Sequence, residues 1–163
     1  RRRGPTRGRA VTDAPREYPD VPRVGVGAVV LEGDRVLLVQ RGRPPSQGKW
    51  SLPGGLVHLG ERLEDAVRRE VTEECGLAVR VLEVCGVIDR VVRDGGAGGA
   101  DRVRYHWVVV DYVAEPAGGT LRAASDAADA RWVPVSELGG YDTTDGLADM
   151  IYRAVAMERR RSR

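Results

Sequence analysis

The sequence contains no phenylalanine, and only two cysteines and two histidines among its 163 residues. Valine, leucine and alanine must fill the core, and a hydrophobic fraction of 42% suits one globular domain. Cys75 and Cys85 are too few for a disulfide scaffold or a zinc knuckle, and they suit a reducing, cytoplasmic compartment. No apolar run could span a bilayer or form a secretory signal behind the Arg-rich start. We therefore expect a cytoplasmic protein without a membrane partner.

Positive charge is concentrated at the two ends of the chain. Five arginines and no acid lie in residues 1–10, and residues 158–163 hold four arginines and one glutamate. Because the formal charge of the whole chain is only +2, the part between the ends is acidic. An acidic body disfavours nucleic-acid binding, except through the basic ends. We expect a flexible, Pro-containing basic arm over 1–22, one domain over 23–157 and a basic tail over 158–163.

Strand and helix patterns mix in this sequence without a regular βαβ alternation. A second helix is expected near the end of the chain, where apolar residues recur at helical spacing over 147–155, with Thr143 or Thr144 as its N-cap. Gly118-Gly119 predicts a turn. A mixed sheet between helices accommodates this order of elements. Strands are expected over 24–31, 35–41, 77–89, 103–114 and 131–133.

The first helix is expected to follow the turn Pro53-Gly54-Gly55. Val67, Val71 and Cys75 recur every four residues, and Gly76 stands where a helix usually ends. Six acidic residues crowd the same stretch, and the last three of them share one helix face. These six are Glu61, Glu64, Asp65, Glu70, Glu73 and Glu74.

Glu74 falls inside the apolar stripe of this helix, close to the expected core. Burying an unpaired carboxylate costs free energy, so a positive charge must compensate it. Arg68 and Arg69 are near in sequence, but Arg69 points away from Glu74. Bound Mg²⁺ or Mn²⁺ would also compensate, since hard cations take carboxylate oxygens. The alternative is an ordinary solvated acidic face, and the adjacent glycine turn favours the metal site.

The spacing of these residues resembles the Nudix box. Gly55 is followed after five residues by Glu61, and after seven more by Arg69-Glu70-Val71, Glu73-Glu74 and Gly76-Leu77. The flanks Trp50–Gly54 and Ala130–Pro134 are also similar to the family. The resemblance implies an α/β fold, an α/β/α sandwich with a mixed β-sheet and a loop–helix–loop catalytic motif. It covers most of 23–157.

The resemblance implies a set of oxygen ligands for the metal. Glu70 and Glu74 would be the main ligands, and Glu73 would be a further ligand or bind through water. The carbonyl of Gly54 would supply another oxygen. Glu70 is the candidate general base nearest the motif, although Glu73 and the loop acids stay open.

Further roles also follow from the resemblance. Arg69 would pair with Glu61 and so orient the acidic cluster. One more acid commonly comes from a loop beyond the box. Asp126 is the first choice for that acid and Asp129 the second, because both precede Arg131-Trp132-Val133.

Five other side chains have two interpretations each. Arg41 and Arg43 could hold a distal phosphate or be solvated loop charges. Trp50 could stack on a base, although core packing is the stronger interpretation. His58 could contact substrate or lie on the surface. His106, in an apolar strand, fits a core residue better than a catalytic one, with Tyr105 and Trp107 on the opposite face.

The function implied is metal-dependent hydrolysis of a diphosphate linkage in a small nucleoside diphosphate derivative. ADP-ribose or a nucleotide sugar is favoured, and the products are two phosphate-terminated halves. Hydrolysis of a nucleoside triphosphate, as in MutT-like sanitising enzymes, is the alternative. A non-catalytic ligand sensor of the same fold fits less well, since every acid of the box is present. RNA processing with the basic ends as an anchor is a further alternative, and a homodimer is possible.

Overall fold

A computed structural model describes residues 16–95 and 101–163. Most of the predicted arm and part of the loop after residue 93 lie outside these ranges. A short 3-10 helix, Val135–Gly140, precedes the last helix. The other elements are β1 (Arg23–Glu32), β2 (Arg35–Arg41), β3 (Trp50–Ser51), β4 (Gly54–Leu56), α1 (Leu63–Cys75), β5 (Leu77–Arg93), β6 (Val103–Gly119), β7 (Ala127–Pro134) and α2 (Leu147–Arg161).

The strands form one mixed sheet in the order β3-β2-β1-β6-β5, with β4 paired to β1 and β7 to β2. β1 and β6 are parallel, with Gly27 opposite Asp111, while the other pairs are antiparallel. β1 exchanges partners along its length, because its first half pairs with β4 and its end pairs with β2.

The two helices cover opposite faces of the sheet. Side chains alternate along β1, so that Val26, Ala28 and Val30 pack with α1 while Val29 and Leu31 pack with α2. Each face therefore has its own apolar core. The predicted α/β/α sandwich around a mixed sheet is confirmed. None of the described helices is both long and apolar enough to cross a membrane.

Several predicted boundaries were wrong. β5 and β6 pair from Leu77↔Gly119 to Arg93↔Val103, so both strands are longer than their apolar runs. The expected turn at Gly118-Gly119 lies inside this ladder. β4 was not predicted, because Gly54-Gly55 indicated a break, yet this segment pairs with β1.

The two ends of the predicted domain also need correction. α2 continues through Arg161, so residues 158–161 are helical rather than a tail, and three arginines in the last turn complement the helix dipole. The helix starts after Gly146, not at a threonine cap. At the other end, the Tyr18 N–H donates to the Arg104 carbonyl at 2.8 Å, so the last residues of the expected arm contact β6.

Candidate active site

Helix α1 places three acidic side chains at different depths. It ends at Gly76, whose left-handed φ of 70° favours glycine. The Glu74 side chain lies among the buried residues of the helix, as its place in the apolar stripe predicts, and is 7% exposed. The Glu70 side chain is 12% exposed and that of Glu73 is 49% exposed. Glu70 and Glu74 are therefore largely removed from water, while Glu73 is not.

The two glycines of β4 allow close packing between this strand, β1 and α1. A Cβ atom on Gly54 would lie 2.1 Å from the Val26 carbonyl oxygen, and one on Gly55 would lie 2.4 Å from Oε1 of Glu70. The Gly54 N–H donates to Oε2 of Glu74 at 2.9 Å. The glycine turn is thus shaped around the carboxylates of α1.

Arg69 organises the outer part of the cluster. Its Nε and Nη2 donate to the two carboxylate oxygens of Glu61 at 2.7 and 2.9 Å. Nη1 donates to Glu70 at 2.7 Å and to Glu73 at 3.3 Å, and Nη2 also donates to the Leu56 carbonyl. Hydrogen bonds from Arg69 lower the pKa of Glu61 to about 2. The pairing of Arg69 with Glu61 that the resemblance implies is present.

The pKa values of the two inner carboxylates, Glu70 and Glu74, are shifted in the opposite direction to that of Glu61. Burial raises the pKa of Glu74 to about 8, against the opposing hydrogen bond from Gly54, and the charges of Glu70 and Asp126 raise it further. Burial also raises the pKa of Glu70, while Arg69 opposes that rise. Carboxylates that are largely removed from water therefore lie close to one another at this point of the cleft.

The donor atoms fit a hard divalent cation by their chemistry. Within the described parts of the chain, no three acidic, histidine or cysteine side chains already have the arrangement of a metal site. Glu70 is held by Arg69, and Glu74 by the Gly54 amide. Both remain buried carboxylates, and the charge of Glu70 raises the pKa of Glu74. A divalent cation would stabilise their charged forms. Modest side-chain rotation would be needed.

A cleft of about 710 Å³ runs from this cluster across the sheet to the start of α2. Arg41, Arg43, His58 and Asp126 line it, together with the acids of α1. Asp126 lies beside Arg16, with 3.9 Å between the carboxylate and the guanidinium. The second choice, Asp129, instead pairs with Arg131 at 2.7 Å and is not part of the wall.

Arg41 is the better placed of the two loop arginines. Burial lowers its pKa, while the charges of Glu74 and Asp126 raise it. Its Nε donates to the Pro45 carbonyl at 2.9 Å, which fixes the side chain near the acids. His58 is more exposed, and its backbone N–H donates to Glu61.

Of the two interpretations of Trp50, the structure supports core packing, which was favoured, and not stacking on a base. Trp50 is 8% exposed, packs edge-on against Tyr141 at 5.4 Å and belongs to the core beneath α2. Pairing of Gln40 with Trp50 directs the indole into that core. His106 is half-buried, and Tyr105 and Trp107 share the opposite face with ring centroids 4.9 Å apart.

The sequence analysis did not predict the residues that line the half of the cleft farther from the acids of α1. Trp107, Val109 and Asp111 lie there on one face of β6, opposite Gly25 and Gly27 of β1. Asp111 is 5% exposed, and burial raises its pKa to about 6. An acid within the apolar run of β6 was the available signal, because a charged residue is seldom fully buried unless it is paired.

A large cleft lined by buried carboxylates beside a glycine turn is what this fold and this acidic helix define together. The chain belongs to the NUDIX domain family, whose sequence model matches residues 21–154.

Known relatives agree with this assignment. An ADP-ribose pyrophosphatase of Methanocaldococcus jannaschii is 33% identical over 117 residues, covering 72% of this chain and 64% of that protein. A MutT-like protein of Streptomyces ambofaciens is 33% identical over 112 residues, covering 69% and 63%. The crystal structure of a MutT NUDIX hydrolase from Burkholderia pseudomallei matches with a TM-score of 0.69 and 32% identity, covering 82% of this chain and 98% of that one. The chain thus spans slightly less than two thirds of the two curated relatives.

Proposed function

We propose that this protein hydrolyses a diphosphate linkage in a nucleoside diphosphate derivative, in a reaction that requires Mg²⁺ or Mn²⁺. The observation that carries the proposal is the convergence of the buried carboxylates of Glu70 and Glu74 beside the Gly54-Gly55 turn in a large cleft. Two buried carboxylates without a shared cationic side chain are costly for folding alone. A function that needs their charge explains why they are kept.

Each acid has a proposed role. Glu70, Glu73 and Glu74 would hold the cation, together with the Gly54 carbonyl and Asp126 of the loop before β7. When bound, the cation neutralises phosphate charge and lowers the pKa of water. Asp126 supports this proposal by lying in the wall of the cleft and by raising the pKa of Glu74.

The chain's own residues would orient the acids and take up the proton. Arg69, fixed by Glu61, holds one oxygen of Glu70 through Nη1 and thereby sets the direction of that carboxylate. The proton released from the attacking water would pass to a carboxylate oxygen of Glu70 or Glu73. Arg41 and Arg43, which line the same cleft, would bind phosphate oxygens of the substrate, and His58, also in its lining, would contact substrate.

ADP-ribose or a nucleotide sugar is the substrate class that we favour. The cleft volume lies within the range of ligand sites for molecules of this size. The name of the archaeal relative, an ADP-ribose pyrophosphatase, supports this choice. Nucleoside triphosphates are the second candidate, which the MutT-like relative supports.

Product analysis tests this proposal. The full chain with Mg²⁺ is offered ADP-ribose, nucleotide sugars and nucleoside triphosphates, and the products are separated by anion exchange. Cleavage of the diphosphate linkage of ADP-ribose yields AMP and ribose 5-phosphate, whereas a triphosphate would yield a monophosphate and pyrophosphate. If no diphosphate compound is cleaved while nucleotides bind tightly, the proposal fails and a ligand sensor is the better interpretation.

A further inference from the structure

One arginine of the segment before β1 lines the cleft. The side chain of Arg16 is 57% exposed, and its guanidinium lies 3.9 Å from the carboxylate of Asp126. That distance is too long for a hydrogen bond, so Asp126 does not use the N–H donors of this guanidinium. An accessible guanidinium beside the acids is therefore in a position to contact an anionic ligand in the cleft.

The two residues after Arg16 are held on β6. The Tyr18 N–H donates to the Arg104 carbonyl at 2.8 Å. Nη2 of Arg104 donates to Glu17 at 2.9 Å, and the Tyr105 hydroxyl donates to the same carboxylate oxygen. Backbone and side-chain contacts thus attach the chain to the sheet immediately after Arg16. The position of Arg16 in the cleft therefore follows from specific contacts of its neighbours.

Tyr18 adopts an uncommon backbone conformation at this attachment. Its φ of 55° is in the left-handed region, which residues with a Cβ atom rarely adopt. The Arg102 guanidinium lies 4.1 Å from the centre of the Tyr18 ring, an attractive arrangement of a cation and an aromatic ring. A costly backbone conformation persists only where the surrounding contacts impose it. The course of the chain next to Arg16 is therefore imposed by the contacts of Tyr18.

Arg16 also lies near other positive charges of the cleft, since Arg41 and Arg90 line the same cleft. Burial lowers the pKa of Arg41, and the charges of Arg90 and Arg16 lower it further, while the charges of Glu74 and Asp126 raise it. Arginines that repel one another are stabilised when an anion binds between them. Phosphate oxygens match the fork of N–H donors that each guanidinium presents.

We propose that Arg16 binds a phosphate group of the nucleotide in the cleft, and that Glu17, through its contacts with β6, positions Arg16 for this contact. This inference rests on the proposed function, because it assumes that the diphosphate lies beside Asp126 and the acids of α1. The charge of Arg16 offsets the repulsion between those acids and phosphate. The inference adds a substrate-binding residue from a segment to which the proposed function gives no role.

Nucleotide binding without turnover tests the proposal. The probes are the α,β-methylene analogues of ADP and GDP, in which carbon replaces the bridging oxygen, so that this linkage is not hydrolysed. Each is titrated by calorimetry into the full chain, with Mg²⁺ in excess so that cation binding is saturated in every protein, and the tighter analogue is kept. Arg16→Ala should weaken its binding by about 10-fold, on the scale of a hydrogen bond between charged groups. Equal affinity of parent and variant, or no binding of either analogue to the parent, would overturn the proposal.

A matched control separates this contact from a general effect of charge. The side chain of Arg80 is 63% exposed, pairs with Glu115 and does not line the cleft. Arg80→Ala removes the same charge as Arg16→Ala and should keep the parent affinity for the analogue. A loss of affinity in Arg80→Ala equal to that in Arg16→Ala would overturn the proposal, because net charge alone would then explain both.

A double-mutant cycle tests the positioning role of Glu17. Glu17→Ala removes the acceptor that Arg104 and Tyr105 share. It should weaken binding of the analogue in the parent but have little further effect in the Arg16→Ala background. An effect that is absent from the parent, or equal in both backgrounds, would overturn the positioning role. The comparison of the parent with Arg16→Ala stands even if Glu17→Ala fails to fold.

Failure of this inference is distinguishable from failure of the proposed function. A weaker affinity of Arg16→Ala, without cleavage of any diphosphate compound by the parent, would support the role of Arg16 and contradict hydrolysis. Cleavage by the parent and by Arg16→Ala with the same KM would support hydrolysis and contradict the role of Arg16.

Discussion

Glu74 carries a carboxylate that is 7% exposed and accepts a hydrogen bond from the Gly54 N–H. Its charge is costly to bury, and the proposed cation needs that charge. Stability and function therefore set opposite requirements on this one side chain.

Glu74→Gln should lower turnover by about 100-fold or more, on the scale of removing an electrostatic catalytic group. With chelator present, and at a pH above 8, where the parent carboxyl is ionised, its thermal midpoint should be equal to or above that of the parent, since a buried charge has been removed. Glu64→Gln is the control on the same helix, with an exposed side chain that pairs with Arg68 at 3.3 Å. A Glu74 variant that melts lower but keeps full turnover would contradict our interpretation of this residue.

The raised pKa of Asp111 leads us to predict that the free energy of unfolding depends on pH. Its folded pKa of about 6 lies above the ordinary value of 3.8, so burial destabilises the charged form. The penalty is fully present above pH 6 and is relieved as the pH falls towards 4. Asp111→Asn should therefore be more stable than the parent by roughly 3 kcal/mol at pH 7.5, with a difference that shrinks to near zero at pH 4. Denaturant titrations at both pH values measure this, and a difference independent of pH would refute the burial argument.

At the scale of elements, the contact between β4 and α1 is the critical one. Gly55 does not have a positive φ, so the backbone there can accept an alanine without strain. The Cβ of that alanine would, however, lie 2.4 Å from the Glu70 carboxylate. Gly55→Ala should fold and lose about 10-fold or more in turnover, because displacing the Glu70 carboxylate by even a small distance lowers the rate. Gly139→Ala, where a Cβ meets no atom within 4 Å, should change little. Equal turnover of the two variants, each checked by circular dichroism, would show that Glu70 needs no fixed position.

The elements differ in how well the sequence predicted them. The end of α1 and both ends of β2 were predicted, because the terminal Gly76 of α1 and the turn at Gly33 are local signals. β4 was missed because its glycines have no side chain to show an alternation, and pairing with β1 is a tertiary contact. β5 and β6 extend beyond their apolar runs because they pair with each other along the whole hairpin.

The candidate site shows the same division. The acids of α1 and their partner Arg69 follow from spacing within a single motif. Asp111 could not be predicted as part of the site, because its burial depends on Gly27 of a distant strand, a contact that only the fold creates. Trp50 was ambiguous for the same reason, since only the fold shows which core its ring enters.

For the whole molecule, we predict that the N-terminal arginines are dispensable for chemistry. A truncated chain that tests this should begin at Arg16, because Glu17 accepts hydrogen bonds from Arg104 and Tyr105 and should be kept. A chain of residues 16–163 should keep its turnover on a small nucleotide and lose part of its affinity for polyanions, an effect that fades as salt screens it. Loss of turnover at every salt concentration would mean that residues 1–15 complete the site. Light scattering on the same two chains tests whether the protein forms a homodimer.

Dependence on a divalent cation is the central claim, and chelation tests it most directly. The full chain is treated exhaustively with EDTA, desalted, and assayed on the substrate that the product analysis identifies, with and without added Mg²⁺ or Mn²⁺. Circular dichroism at each step shows that the fold is intact. The account predicts that turnover falls to background after chelation and returns when either cation is restored. Undiminished turnover in the folded, chelated protein would contradict it.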